Sequence, residues 1–215
     1  QRETPLLSQI QVFITDGMLE LARTGHGSIQ LPLLPDVLSQ QEGEIQAIKL
    51  WGDACDTVEV SSEASRWLTQ ALESSAAINL VRMAPGFIRP QSDPEHLGEH
   101  TRVQFADTAP YLVIDESSLQ KLNEVLIGKG ESAVPMNRFR PNIVIRGLTA
   151  FSEHQQHSLR NDRFCLLFRM PCTRCVVPTI DQDTSRRHEF MEPFTTLRDI
   201  NPLNLKRRQP LFGQY

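Results

Sequence analysis

The sequence predicts a mainly β chain of the α+β class, made of short strands and two helices. Three observations carry this. Apolar and polar residues alternate with period two through much of the first half, only two segments switch to the helical period, and turn-forming residues recur at short intervals throughout the 215 residues. Curled sheets or barrels fit that pattern better than a doubly wound sheet, which needs a helix between successive strands.

Alternation runs through Gln9 to Ile14, Met18 to Ala22 and Ser28 to Leu33, with Asp16-Gly17 as a hairpin turn between the first two. Gln46 to Trp51 and Thr57 to Val60 continue the β pattern. The period then changes: Ala64, Trp67, Leu68, Ala71 and Leu72 recur at i, i+3, i+4, i+7 and i+8, which predicts an amphipathic helix capped by Ser61 or Ser62. Ile78 to Met83 returns to strand. Pro85, Gly86, Pro90, Ser92, Asp93 and Pro94 crowd the next stretch, so a domain boundary is expected there, dividing residues 1–89 from 90–215.

In the second part, Tyr111 to Ile114 reads as a strand. Ser117 or Ser118 is expected to cap a helix carrying Leu119, Leu122, Val125 and Leu126, which Gly128 and Gly130 stop. Asn142 to Ile145 and Phe164 to Phe168 are further strands, the latter running almost directly into Cys172. No internal repeat or low-complexity tract is present.

Composition narrows the function classes. With 22 Lys plus Arg against 26 Asp plus Glu the net charge is −4, 40% of residues are hydrophobic, and no apolar run approaches a membrane-spanning length. A chain of this mass can bury roughly 70% of its unfolded surface, enough for a core without staples. Mild acidity argues against a broad nucleic-acid interface; Lys206, Arg207 and Arg208 are the one run of three bases. Four unevenly spread cysteines, Cys55, Cys165, Cys172 and Cys175, suit a reducing, intracellular compartment. The chain opens on Gln1 without an initiator Met and reads as a piece of a longer protein.

Three local patterns could carry chemistry. Cys172-Thr173-Arg174-Cys175 admits a zinc site with Cys55, Cys165 or His188, a redox dithiol, a single thiolate beside Arg174 serving as a soft metal ligand, or a buried cysteine pair of no consequence. Zinc lacks a second patterned ligand pair, and a thioredoxin-like dithiol needs a helix start that Val176-Val177-Pro178 does not offer. Arg138-Phe139-Arg140-Pro141-Asn142 places two guanidinium forks at i and i+2, on one side of an extended segment, where they could grip an anion or simply be solvated. Asp107-Thr108-Ala109-Pro110 offers a hydroxyl and backbone donors in a turn. His26, His96, His100, His154, His157 and His188 lie in polar surroundings without ligand spacing and read as surface residues. The common hydrolase, nucleotide-triphosphatase, metalloprotease and dinucleotide signatures do not occur.

Taken in order, Phe105-Ala106-Asp107-Thr108-Ala109-Pro110, Arg138-Phe139-Arg140-Pro141-Asn142-Ile143-Val144, Pro171-Cys172-Thr173-Arg174-Cys175 with Thr179-Ile180-Asp181, and Pro210-Leu211-Phe212-Gly213-Gln214-Tyr215 resemble the MOSC domain of proteins similar to the mitochondrial amidoxime-reducing component. The first half, with Arg2-Glu3 near Pro5, Leu50-Trp51-Gly52 and the Trp67 helix, resembles that family's MOSC N-terminal β-barrel region. The resemblance thus spans nearly the whole chain. Ala109, where relatives often carry Ser, and Gln156, near a position where they often carry Trp, depart from the pattern.

The resemblance implies a MOSC-type β-barrel preceded by a β-rich N-terminal domain, both incomplete at the outer ends of this chain. It implies a molybdenum–molybdopterin cofactor with Cys175 as the catalytic metal-ligand thiolate, and pterin contacts from Arg2, Thr108, Arg140, Asn142, Arg174 and Tyr215. The activity implied is reduction of N-hydroxylated small molecules, such as amidoximes and hydroxylamines. Electrons would come from cytochrome b5 and its reductase or from a ferredoxin-like domain. A second implied reading is the C-terminal MOSC domain of a molybdenum-cofactor sulfurase, whose pyridoxal phosphate sits in another domain; a third is a non-catalytic cofactor-binding paralogue.

Overall fold

A computed structural model describes residues 3–33, 44–89, 93–201 and 209–215. Arg2, Pro90, Ser92 and the Lys206-Arg207-Arg208 run, all singled out in the sequence, lie outside the described residues. The chain divides into two compact units, Gln1–Pro90 with Gln182–Ser185, and Gln91–Asp181 with Arg186–Tyr215.

The first unit holds two antiparallel three-stranded sheets. β1 (Gln11–Thr15), β2 (Met18–Arg23) and β3 (Gly27–Pro32) form a meander in chain order. Asp16 at φ 51° and Gly17 at φ 76° make the two-residue turn that Asp-Gly predicts, bringing Thr15 opposite Met18. β4 (Gln46–Leu50) and β5 (Asp53–Glu59) are joined by Trp51 and Gly52, both with positive φ, and β6 (Val81–Met83) pairs with β5. Helix α1 (Ser62–Ala71) starts as expected: Ser61 Oγ accepts from the Ala64 N–H at 3.3 Å. Leu68 and Leu72 pack with Leu21 to make this unit's core, flanked by Trp67, Ile29 and Ile78.

The strand expected over Ile78 to Met83 begins only at Val81. Side chains of α1 capture the preceding backbone, with Thr69 Oγ1 accepting from Ile78 N at 2.9 Å and Ser65 Oγ from Leu80 N at 3.1 Å. Those backbone groups already have partners. Residues Gln182–Ser185 join this unit through polar contacts with the first turn, Ser8 Oγ to the Gln182 carbonyl at 3.4 Å and Gln9 Nε2 to the Asp183 carbonyl at 2.7 Å.

In the second unit, α2 (Pro94–Leu97) precedes β7 (Val113–Asp115), α3 (Glu116–Gly128) and β8 (Ile143–Ile145). β9 (Ser158–Arg160) and β10 (Cys165–Leu167) form a separate two-stranded ladder, followed by β11 (Pro171–Thr173), α4 (Phe194–Ile200) and β12 (Leu211–Gln214). The central sheet has the order β11-β12-β7-β8, antiparallel except for the parallel β7–β8 pair. That parallel pair requires a long crossover, and α3 lies within it. The α+β class holds, while the expected barrel does not close among the described residues: the strands form separate sheets.

Helix α3 corrects the expected cap. Asp115, fully buried at the end of β7, accepts from Ser117 N at 2.8 Å and Ser117 Oγ at 2.6 Å, so the cap precedes both serines. Ser118 instead donates to the buried Glu153 at 2.8 Å. The stop is as expected, with Gly130 at φ 83° and Glu131 N donating to the Leu126 carbonyl at 2.9 Å. Leu122 and Leu126 enter a core with Ile114, Phe139, Phe151, Cys172, Leu197 and Phe212, each fully buried leucine being worth about 2 kcal/mol of transfer free energy.

β12 runs against β7 so closely that Gly213, at φ 82°, is the residue its geometry demands. A Cβ there would lie 2.7 Å from Ile114 Cγ1 and 2.8 Å from the Val113 carbonyl oxygen.

Candidate functional site

The second unit gathers its polar chemistry where β11 and β12 meet. Cys172 alternates inward on β11 between half-buried Pro171 and exposed Thr173, so its sulfur enters the core. Arg174, two residues on, turns back: Nη1 lies 3.1 Å from Cys172 Sγ, and Nη2 donates to the Phe139 carbonyl at 2.8 Å. The guanidinium stands 5.7 Å from the centre of the Phe139 ring, a cation–π arrangement. Phe139 itself packs on Phe212 of β12 at 4.3 Å between ring centres. The Arg174 Nε is buried without a hydrogen-bond acceptor among the described residues.

Tyr215 completes the group. Its phenol hydrogen-bonds to both Cys172 and Thr108, and its backbone is tied to Met170 through N–H to carbonyl at 2.9 Å. The phenol is held well above the ordinary tyrosine range. Burial is the largest cause, followed by the charge and hydrogen bond of Cys172; Arg174 and the Thr108 hydroxyl pull the other way. Tyr215 therefore keeps its proton above the pH at which an ordinary tyrosine releases it.

Of the residues expected to serve a site, the described contacts join Thr108, Arg174 and Tyr215, with Cys172 at their centre. Cys175 sits half-buried on the turn that follows, its thiol free, ahead of the 3-10 turn Val177–Thr179. That turn is too short for the helix start a redox dithiol needs. Among the described residues no cluster of three His, Cys, Asp or Glu could hold a metal ion, so the zinc reading lacks its ligands.

Arg138 and Arg140 do not share one side of an extended segment. Residues Met136–Phe139 form a 3-10 turn, Arg138 is spent on Asp181 at 2.8 Å, and Arg140 leaves the turn exposed and in the left-handed region at φ 56°. Asn142 is structural in its contacts: its Oδ1 accepts from Leu112 N and its N–H donates to the Leu112 carbonyl, both at 2.9 Å. These bonds take the backbone of Leu112, which is why the expected strand at Tyr111 starts only at Val113.

Three histidines read as surface residues are half-buried and bonded. His26 Nε2 lies 3.4 Å from Arg23 Nη1, His154 Nδ1 lies 3.0 Å from Gln214 Oε1, and His188 Nε2 lies 3.0 Å from Glu131. The sequence reading missed Phe139 as the platform for Arg174 and Cys172 as the hub; the inward alternation on β11 was the available signal.

Beside Tyr215 a groove of about 240 Å³ runs between residues 109–113 and β10 with its continuation to Arg169. Its walls are mostly apolar.

This arrangement, with its ordered motifs, falls within a recognised class. The sequence profile of the MOSC domain matches residues 100–215, more than half of the chain, and the chain belongs to the MOSC domain family. Among curated relatives, it is 29% identical over 222 residues to mitochondrial amidoxime-reducing component 1 of Mus musculus and 28% identical over 221 residues to that of Homo sapiens. It is 30% identical over 223 residues to mitochondrial amidoxime reducing component 2 of Rattus norvegicus. All three alignments cover 100% of this chain but only 62%, 63% and 63% of the relatives, so the chain spans less than two-thirds of their length. Among the described residues no helix is long and apolar enough to cross a membrane.

Proposed function

We propose that the protein is a molybdenum-cofactor oxidoreductase that reduces N-hydroxylated small molecules, amidoximes and hydroxylamines among them. The observation that carries this reading is the meeting of Arg174, Tyr215, Thr108 and the Cys172-to-Cys175 turn in a MOSC chain aligned along its whole length with amidoxime-reducing components. On this reading residues 1–89 are a MOSC N-terminal region and 90–215 the MOSC domain. Electrons come from a protein donor, such as cytochrome b5 with its reductase or a ferredoxin-like domain.

The residues present fit a molybdopterin. Arg174 keeps a buried donor, Nε, without a partner among the described residues, and a guanidinium is the side chain suited to an anionic phosphate. Cys175 offers a free, half-buried thiol as the single protein ligand to the metal. Arg140, exposed at the mouth of β8, adds positive charge for the phosphate. Asn142 retains its amide NH₂ for the pterin while its carbonyl holds Leu112. When bound, the cofactor supplies a two-electron redox couple and an open coordination position. Tyr215, protonated at neutral pH, holds a proton at its phenol oxygen and Thr108 orients that oxygen.

The test is molybdenum and pterin content of the full-length protein purified from a host that makes the cofactor, with Cys175→Ala and Cys172→Ala beside it. Near-stoichiometric molybdenum in the parent, lost in Cys175→Ala and largely kept in Cys172→Ala, is the expected result. Loss in Cys172→Ala with retention in Cys175→Ala would reassign the thiolate. A well-folded parent without either component overturns the reading.

A further inference from the structure

We infer that the groove beside Tyr215 receives the body of the substrate and selects an uncharged, single-ring apolar group over a cationic one. This rests on the functional reading above, because the groove shares Tyr215 with the Cys172 and Arg174 cluster. Three observations carry it.

The first is charge. Of the twelve described residues lining the groove, Arg169 is the one charged side chain, and no carboxylate is among them. A cationic ligand would leave water without a counter-ion and face a guanidinium, whereas a neutral one loses only solvent from its apolar faces.

The second is size. An apolar cavity near 150 Å³ accommodates a benzene ring; the groove's 240 Å³ therefore holds one ring with a short polar substituent. The third is polarity along its length. Tyr111, Leu167 and Phe168 supply apolar wall, Ala109 leaves room on one side by its small side chain, and Tyr215, whose phenol meets Thr108, lines the groove. A ligand with an apolar ring and a polar head is oriented by that gradient.

The experiment uses benzamide and benzamidinium, which share a shape and differ in charge, titrated by calorimetry or NMR into full-length protein prepared without cofactor. Benzamide should bind saturably, at an affinity on the order of millimolar for so small a ligand, and at least tenfold more tightly than benzamidinium. Leu167 is an exposed wall residue, so Leu167→Glu tests the charge argument without disturbing the core. It should weaken benzamide and strengthen benzamidinium several-fold. Ala109→Leu should block both. Equal affinity for the two probes, or indifference to Leu167→Glu, overturns the inference.

The binding assay does not involve the metal, so the two readings fail separately. Charge-selective binding in a protein that never takes up molybdenum removes the oxidoreductase reading and leaves the groove. Conversely, a loaded enzyme that reduces N-hydroxylated compounds with KM unchanged by Leu167→Glu removes the groove.

Discussion

Arg174 Nη1 lies 3.1 Å from the sulfur of Cys172, while the other terminal nitrogen of the same guanidinium is fixed on the Phe139 carbonyl. One arginine thus ties the end of β11 to the turn that precedes β8. The tie is held from below by the Phe139–Phe212 stack, so the guanidinium is positioned by the core rather than by solvent-exposed neighbours.

Removing that charge should affect cofactor retention more than folding. Arg174→Gln forfeits a charge-assisted hydrogen bond and a ring contact, together about 2 kcal/mol of stability. Arg140→Gln, at an exposed position, should change stability by no more than about 0.5 kcal/mol. Both variants should nevertheless lose pterin, measured by fluorescence of the released cofactor against thermal melts of the same samples. Full pterin occupancy in both would assign these arginines no role beyond the fold.

The tyrosine gives a pH dependence with a definite sign. An unfolded tyrosine ionises near pH 10, roughly its ordinary value, and Tyr215 is shifted upward by burial and by Cys172. Above pH 10 the native state therefore holds a proton that the unfolded state has released. Its contribution to stability is complete below about pH 10 and is lost as pH rises toward the folded value. Tyr215→Phe should flatten the fall of stability on the alkaline side relative to the parent. In the parent, the ultraviolet difference spectrum should show one tyrosine ionising late. If Tyr215 ionised at the ordinary pH, its buried contact with Cys172 would be refuted.

Gly213→Ala should be among the costliest small substitutions in the second unit. The residue sits at φ 82°, and the added methyl meets a backbone oxygen at 2.8 Å as well as Ile114. Left-handed backbone strain and overpacking together predict a loss of at least about 2 kcal/mol. Denaturant unfolding checks it, and a loss under 0.5 kcal/mol would show that β12 can move away from β7. Because Tyr215 follows two residues later, the same variant should lower cofactor retention.

Local signals were legible where a short stretch of chain decides its own conformation. Asp16-Gly17 turns because those two residues tolerate positive φ, and Ser61 caps α1 because its hydroxyl reaches Ala64 N without help from elsewhere. The same logic failed at α3. Ser117 is a plausible cap by pattern, yet Asp115 sits two residues earlier at a strand end and its carboxylate is the better acceptor for the first N–H groups. Arg138 and Arg140 misled for a related reason, since period-two spacing implies a shared face only if the segment is extended, and Met136–Phe139 coils instead.

By itself the sequence determined the α+β class, most of the elements and the MOSC resemblance, and it singled out Thr108, Arg174 and Tyr215 as candidates. It could do so because periodicity, turn chemistry and ordered motifs are properties of neighbouring residues. Only the tertiary structure decided which of those residues meet. Thr108, Phe139, Cys172, Arg174 and Tyr215 come together through strand pairing of β11 with β12 and the packing of Phe139 on Phe212, contacts between residues far apart in the chain. It also decided that Asn142 serves Leu112 and Arg138 serves Asp181, because a polar group near the core bonds to whatever acceptor or donor the fold brings within about 3 Å, and no local pattern records that partner.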